Sequence, residues 1–346
     1  MFLIKKSDQH KDKKLFFIYG WLFGFGYFLS NLYWISISLT FDQNFKFLMP
    51  FAMILIPAFL SIFYGLISFL FIMLIQNRIV SSFLIFVLIF GILEFLRGSI
   101  LTGFPWNLIA YSFSNQLEIL SITSVIGTYG FNLFCISLFT SPALFFLKSS
   151  KKSIMIYLIL IITILFSYIL GLSNKDKFNN ALEINYNHKI RVIGSNISLD
   201  RFYKNIDTVS VIQDLIKISD PNLNEKTIFV WPEGIFPDIS QDDFNQYSSL
   251  FEENFNKNHL FIIGINSQSK TNSRVDYFNS FSLYDHKLNL LDSYNKINLV
   301  PFGEFLPFEN ILKHVGLRSL TNNYQSFSRG IERKIIKIER GEFSLK

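Results

Sequence analysis

The 346-residue chain holds a single cysteine, Cys135, so neither an intramolecular disulfide nor a zinc site built on cysteines is open to it. Charge is missing over long stretches as well. No Asp, Glu, Lys or Arg occurs in 15–41, 47–77, 79–93, 119–147 or 153–174. A helix crosses ~30 Å of hydrocarbon with about 20 apolar residues, a length that four of these stretches exceed. The third, 79–93, needs Glu94 at its end to reach. There is no P-loop and no G-x-S-x-G nucleophile elbow, and the pattern Gly24-x-Gly26 follows no strand. The five histidines, His10, His188, His259, His286 and His314, lack metal-ligand spacing. Nucleotide, serine-hydrolase and metal chemistry therefore have no local signature, and no cofactor is expected.

What the chain does have is apolar mass. Half of its residues are hydrophobic, 41 are Phe, and the mean hydropathy is +0.33, which excludes a single water-soluble globule. The 32 Lys and Arg outnumber the 26 Asp and Glu but are scattered, with no basic stripe interleaved with aromatics, so nucleic acid is not the expected partner. Five membrane spans are predicted, at about Leu15–Leu39, Phe47–Ile75, Ile79–Leu96, Ile119–Leu147 and Ser153–Leu172, with Pro50 and Pro57 kinking the second. The basic leader 1–14 carries Lys5, Lys6, Lys11, Lys13 and Lys14. The apolar run behind it is too long for a signal peptide and lacks a small-residue cleavage site, so it reads as a retained anchor. The leader, Arg78 and the cluster Lys148, Lys151 and Lys152 fall on one side of five crossings, the cytoplasmic one, and the chain beyond Leu172 is then exported.

Past the membrane domain 15–172, residues 173–187 read as a polar linker, and 188–346 read as a water-soluble α/β unit. KIRVIGSNI (189–197), TIFVW (227–231) and HLFIIGI (259–265) have the pattern of buried strands. Ile206, Val209, Ile212, Leu215 and Ile216 recur at helical spacing, as do Phe244, Tyr247, Phe251 and Phe255. A hairpin is expected near 277–294, turning at Asp285, His286 and Lys287.

Three segments carry candidate chemistry. FVWPEGIFP (229–237) puts Glu233 directly after a buried strand, on a turn fixed by Pro232 and Pro237. A carboxylate there projects into the crevice where α/β enzymes work, although an exposed turn glutamate fits the same pattern. SYNKINLVPFGEFLPF (293–308) retains Lys296 and Glu304 in an apolar loop, where each charge needs a partner or water. EFLRGSILTGFPWN (94–107) ends the third span. Glu94 and Arg97, one turn apart, are expected to pair at the membrane boundary, and Phe104, Pro105 and Trp106 form either an interfacial aromatic belt or a substrate contact. Gly20 and Gly24 suit close helix packing.

In their order on the chain, GWLFGFGYFLSNLYWIS (20–36), RGSILTGFPWN (97–107), VWPEGIFP (230–237) and YNKINLVPFGEFLP (294–307) resemble bacterial apolipoprotein N-acyltransferases, membrane-embedded members of the nitrilase superfamily. The resemblance runs over most of 19–310. It implies a multi-span α-helical membrane domain followed by an αββα nitrilase-like sandwich on the periplasmic side of the bacterial inner membrane. It further implies a Cys-Glu-Lys triad that moves an acyl chain from a phospholipid, through a thioester, to the N-terminal amine of a diacylated apolipoprotein. On the matching positions Glu233 is the general base, Lys296 the cation that stabilises the oxyanion and Glu304 a supporting carboxylate, while Trp231, Phe104, Pro105 and Trp106 line the substrate.

The nucleophile is the point of departure. In the family it follows the segment resembling YQSFSRG (324–330), and no cysteine follows that segment here. Cys135 is expected in mid-membrane and cannot take its place. The sequence thus reads as a homologue truncated at both ends, with an incomplete sandwich, inactive unless a separate piece supplies the thiol. The alternative is a non-catalytic, membrane-anchored lipid-binding or scaffolding remnant. A transporter lacks a mid-span ionisable residue, and an amidase for small soluble amides does not account for the spans or the GFPWN loop.

Overall fold

The computed structural model describes residues 12–40, 46–100, 103–147, 150–181, 188–195, 207–236, 238–271, 274–301, 303–305, 326–333, 338–340 and 343–345. The leader lysines before Asp12, and Lys148, Ile206, Pro237, His314 and Tyr324, all invoked above, lie outside them. The chain divides into two compact units, Met1–Glu183 and Ile184–Lys346.

The first unit is helical. Its main helices are α1 (Lys13–Leu32), α2 (Met49–Leu74), α3 (Ile79–Arg97), α4 (Thr123–Thr140) and α5 (Lys151–Asn179). With their flanking turns, the segments Lys13–Thr40, Lys46–Leu74, Ile79–Arg97, Thr123–Phe146 and Lys151–Asn179 are long and apolar enough to cross a membrane. The caps follow the sequence. Asp12 accepts hydrogen bonds from Lys14 N and Leu15 N ahead of α1, and Ser150 accepts one from Ser153 N ahead of α5. Pro50 falls in the first turn of α2, where its missing N–H costs nothing, and α2 continues through Pro57 as one helix.

Close packing of α1 on α2 depends on two glycines. A Cβ on Gly20 would lie 2.3 Å from Tyr64 O, and one on Gly24 would lie 2.7 Å from Tyr64 Cβ. Small residues one turn apart let two backbones approach where hydrocarbon gives no hydrophobic drive to associate. Phe28, Tyr64, Phe71, Phe83 and Phe90 fill the interface among α1, α2 and α3. Helix α5, by contrast, buries only Ser153, Ser167 and Gly171 and turns Ile154, Leu158, Ile162, Leu165, Phe166 and Ile169 outward. An apolar outer surface is what a helix presents when its solvent is lipid.

Two expectations for this unit need correction. The fourth span is not one helix over 119–147. Gly127, at φ 70° and ψ 169°, interrupts α4, and separate short helical segments cover Leu117–Leu120 and Ala143–Leu147. The polar start of the predicted linker, 173–179, instead continues α5, and Lys175 Nζ pairs with Glu118 Oε1 at 2.8 Å.

The second unit is a mixed five-stranded sheet in the order β1 (Lys189–Val192), β2 (Thr227–Trp231), β3 (His259–Thr271), β4 (Arg274–Asp285), β5 (Leu290–Asn295). The first three strands are parallel. The links β3–β4 and β4–β5 are antiparallel, and a small hairpin pairs β6 (Ile338–Arg340) with β7 (Phe343–Leu345). Helix α6 (Thr208–Ser219) connects β1 to β2. Its N-cap Asp207 accepts from Val209 N and Ser210 N, and its stripe Val211, Ile212, Leu215 and Ile216 packs against Phe229, Trp231, Phe261 and Ile263. Phe244, Phe251 and Phe255, from the turn Phe244–Tyr247 and from α7 (Ser248–Asn254) with the residue after it, cover the same sheet face. Each fully buried side chain of this size contributes about 1.5–3 kcal/mol.

The opposite face carries a smaller cluster, Ile228, Leu260 and Leu283. Strand β1, expected to be buried, is an edge strand with Ile190 69% and Val192 74% exposed on that side. The described residues thus form one helix layer and one sheet layer of the four-layer sandwich expected.

Candidate active site

Glu233 stands on the turn after β2, at the carboxyl end of the parallel strands, with Gly234 completing the turn at φ +63°. That turn lies against β3. A Cβ on Gly264 would fall 2.5 Å from Glu233 Cα, so only a residue without a side chain allows the crossing. Lys296 directly follows β5. Its N–H donates to Asn279 O at 2.9 Å and its carbonyl accepts from Gly330 N at 2.9 Å, which fixes its backbone on both sides. Glu304 sits in a tight turn where its own N–H donates to Val300 O at 2.8 Å, Val300 N donates back to Oε2 at 2.7 Å, and Phe327 N donates to the Glu304 carbonyl at 2.8 Å.

The three side chains converge. Lys296 Nζ is 3.2 Å from Glu233 Oε1 and 2.9 Å from Glu304 Oε1. Asn279 on β4 donates through Nδ2 to Glu233 Oε1 and, at 2.6 Å, to Glu304 Oε1. Exposure grades across the group: the Glu233 side chain is 60% exposed, Lys296 32% and Glu304 11%. Burial alone would pull the Lys296 pKa down, but its hydrogen bond to Glu304 and the charge of Glu233 outweigh this and raise it. Burial would likewise push Glu304 up. The Lys296 ammonium, the Val300 N–H and the Asn279 amide win, holding its pKa below the ordinary carboxylate value.

The result is an ammonium at a fixed address between one solvent-facing carboxylate and one anchored carboxylate. Such a pair can do two jobs: the outer carboxylate takes a proton from an incoming nucleophile, and the ammonium neutralises negative charge that develops beside it. No group of three His, Cys, Asp or Glu among the described residues is placed to hold a metal ion.

The remaining predicted site residues lie elsewhere. Trp231, expected to contact substrate, is 2% exposed. Its ring packs with Phe236, Phe251 and Phe261, and its Nε1 donates to Ser219 Oγ at 3.0 Å, so it supports the strand behind Glu233 from within the core. Phe104, Pro105 and Trp106 belong to the helical unit, on a loop organised by Arg97. The guanidinium donates from Nη1 to Phe104 O and Trp106 O, both at 2.8 Å, and pairs with Glu94 through Nε and Nη2 at 3.1 and 2.9 Å. Trp106, 49% exposed, stacks on Trp34 with ring centroids 4.9 Å apart. Cys135 is fully buried in α4 among Ala110, Ile119 and Phe131.

Asn279 was not foreseen. The available signal was a polar amide within YFNSFSLY, since Asn is depleted in strands and one placed among β-formers asks for a reason.

The chain is similar in sequence to known proteins along most of its length. Residues 1–141 match the family described as the apolipoprotein N-acyltransferase N-terminal domain. Proteins named apolipoprotein N-acyltransferase from Rhodopseudomonas palustris, Rhizobium leguminosarum bv. trifolii and Rickettsia prowazekii are each 28% identical to the chain, over 337, 333 and 336 residues. The alignments cover 92%, 94% and 95% of this chain and 61%, 62% and 64% of those proteins, so the chain spans less than two thirds of their length.

Proposed function

Because the chain belongs to the apolipoprotein N-acyltransferase family, we propose that its α/β unit carries the acid–base and oxyanion parts of a thiol-dependent acyl transfer. The donor is a membrane phospholipid and the acceptor is the N-terminal amine of a diacylglyceryl-cysteine lipoprotein. The single observation that supports this reading is Lys296 Nζ lying within 3.2 Å of Glu233 and 2.9 Å of Glu304.

In the proposed cycle Glu233 accepts the thiol proton and the thiolate attacks the ester carbonyl of the phospholipid. The carbonyl oxygen becomes an oxyanion beside Lys296. Collapse breaks the ester C–O bond, the leaving lysophospholipid oxygen takes the proton back from Glu233, and a thioester remains. In the second half the lipoprotein amine attacks the thioester and gives up its proton to Glu233. The thiolate then leaves and is reprotonated, and the product is an amide. Glu304, with its charge stabilised, keeps Lys296 protonated and in place throughout.

Cys135 is buried in a membrane helix of the other unit. The thiol in this proposal therefore belongs to polypeptide other than residues 1–346. The membrane helices tether the α/β unit to the bilayer that holds the lipid donor, and the periplasmic face of the inner membrane is the location that the Lys and Arg asymmetry favours.

The test is thioester trapping by mass spectrometry after phospholipid is added. The chain alone is expected to show no acyl adduct. Supplied with the thiol-bearing polypeptide, the assembly should accumulate a thioester, and Lys296→Met should reduce its rate of formation about 10²–10³-fold. A stable acyl adduct on Cys135 would overturn the assignment.

A further inference from the structure

Two carboxylates that share one ammonium repel each other, and nothing in the Lys296 side chain fixes the angle between them. Asn279 lies where that angle is set. It occupies β4 opposite Asn266 of β3, and its carbonyl takes the Lys296 N–H at 2.9 Å, so the amide side chain and the ammonium leave neighbouring points of one β-ladder. The strand is pinned from the next position. Ser280 Oγ donates to Asn295 Oδ1 at 2.8 Å and meets Ser267 Oγ at 2.6 Å, which ties β3, β4 and β5 together immediately before Lys296. The stretch after Phe327 adds a second tie, with Ser328 N donating to Tyr277 O at 2.6 Å and Gly330 N to Lys296 O.

From this frame the Asn279 amide reaches both carboxylates with one nitrogen. An amide N–H2 has two donors and no acceptor, so each bond is made only to a carboxylate oxygen with a lone pair available. Protonating either carboxyl on its shared oxygen would weaken that bond by removing the charge that assists it.

We infer that Asn279 is a positioning residue, an amide clamp that holds Glu233 and Glu304 on the same ammonium, so that the Glu233 carboxylate stays aimed beside Lys296. The inference deepens the proposed reaction and rests on that reading for its catalytic meaning. The clamp itself is a property of the resting protein. It is testable without turnover.

The measurement is competitive acetylation of the full chain in detergent micelles from pH 8 to 12, with the Lys296 peptide quantified by mass spectrometry. Asn279→Ala releases the largely exposed Glu233 to solvent, so the pH of half-labelling at Lys296 should fall by roughly half a unit, the scale of a partly exposed ion pair. Asn279→Asp, nearly the same shape, replaces the donor with a third negative charge and should raise it by a similar amount. Opposite shifts support the clamp. Shifts in the same direction, or no shift in Asn279→Ala, overturn it, because a residue that only shored up β4 would not couple the ammonium to Glu233. Since no acyl transfer enters the readout, the clamp can stand while the proposed reaction fails, and the reverse.

Discussion

Among the described residues, each unit of this protein holds a partly or fully buried cluster of opposite charges, and the two clusters are built differently. In the helical unit, Glu94 and Arg97 are 1% and 0% exposed and form a bidentate pair, and Arg97 also donates to two backbone carbonyls and lies 5.3 Å from the Phe28 ring centroid. Four of the five donors a guanidinium offers are thus engaged. In the α/β unit one ammonium faces two carboxylates, the cluster carries excess negative charge, and its outermost member, Glu233, is mostly in water. A balanced, buried pair with most of its donors engaged holds a loop in shape. An unbalanced, half-open one leaves a carboxylate facing solvent. Both involve Glu and a cation, and they differ in burial and stoichiometry.

The largest expected effect comes from breaking the strut. Arg97→Ala leaves Glu94 buried without a partner and should lower the stability of the helical unit by about 3–5 kcal/mol, read as a drop in Tm in detergent. Replacing both residues with Met should recover much of that loss, because the desolvation cost goes with the charges. Next is Gly264→Ala, which places a methyl group 2.5 Å from Glu233 Cα and should cost about 1–3 kcal/mol by displacing the turn. Comparison of Lys296 labelling in this variant shows whether the cluster moves with the turn.

The smallest effect is the pH response of the Glu233–Lys296–Glu304 cluster. The Glu304 pKa is lowered in the folded state, so its stabilisation is complete above the ordinary Glu value of about 4.3 and is lost as pH falls through the lowered value. The Lys296 pKa is raised, so its share is complete below the ordinary Lys value of about 10.4 and is lost as pH climbs through the raised one. The stability difference between wild type and Glu304→Gln, followed through Tm, should be constant across the neutral range and shrink at both extremes, by about 1 kcal/mol or less after solvent screening. A Tm difference independent of pH would mean that the cluster holds no linked charge.

The two units were also unequally legible in the sequence. Charge-free runs marked the membrane helices because one unpaired charge in hydrocarbon is costly, yet the break at Gly127 was not visible, since an isolated glycine in an apolar run marks a kink as easily as a packing contact. Strand β2 was read at its true bounds because both of its faces are apolar. Strand β3 runs six residues beyond its apolar core, through Asn266–Thr271, and that polar half gives no buried-strand pattern. It is held instead by antiparallel pairing with β4. The exposed Ile190 and Val192 were read as buried because sequence shows that a side chain is apolar, not what covers it. At the candidate site, the local pattern marked Glu233, Lys296 and Glu304 only as charges in apolar segments, which an exposed turn or loop also explains, and the family resemblance was what singled them out. Trp231 lies two residues from Glu233, but alternation along a strand put it in the core, and Asn279 became visible only once strand pairing brought it beside Lys296.

The most direct test of the central claim is Glu233→Gln in cells that also supply the thiol-bearing polypeptide, with lipoprotein N-termini examined by mass spectrometry and the Tm of the purified chain measured alongside. Loss of N-acylation by about 10²-fold or more, with stability changed by no more than about 0.5 kcal/mol, is the predicted result. N-acylation at the wild-type level in that variant would contradict the account.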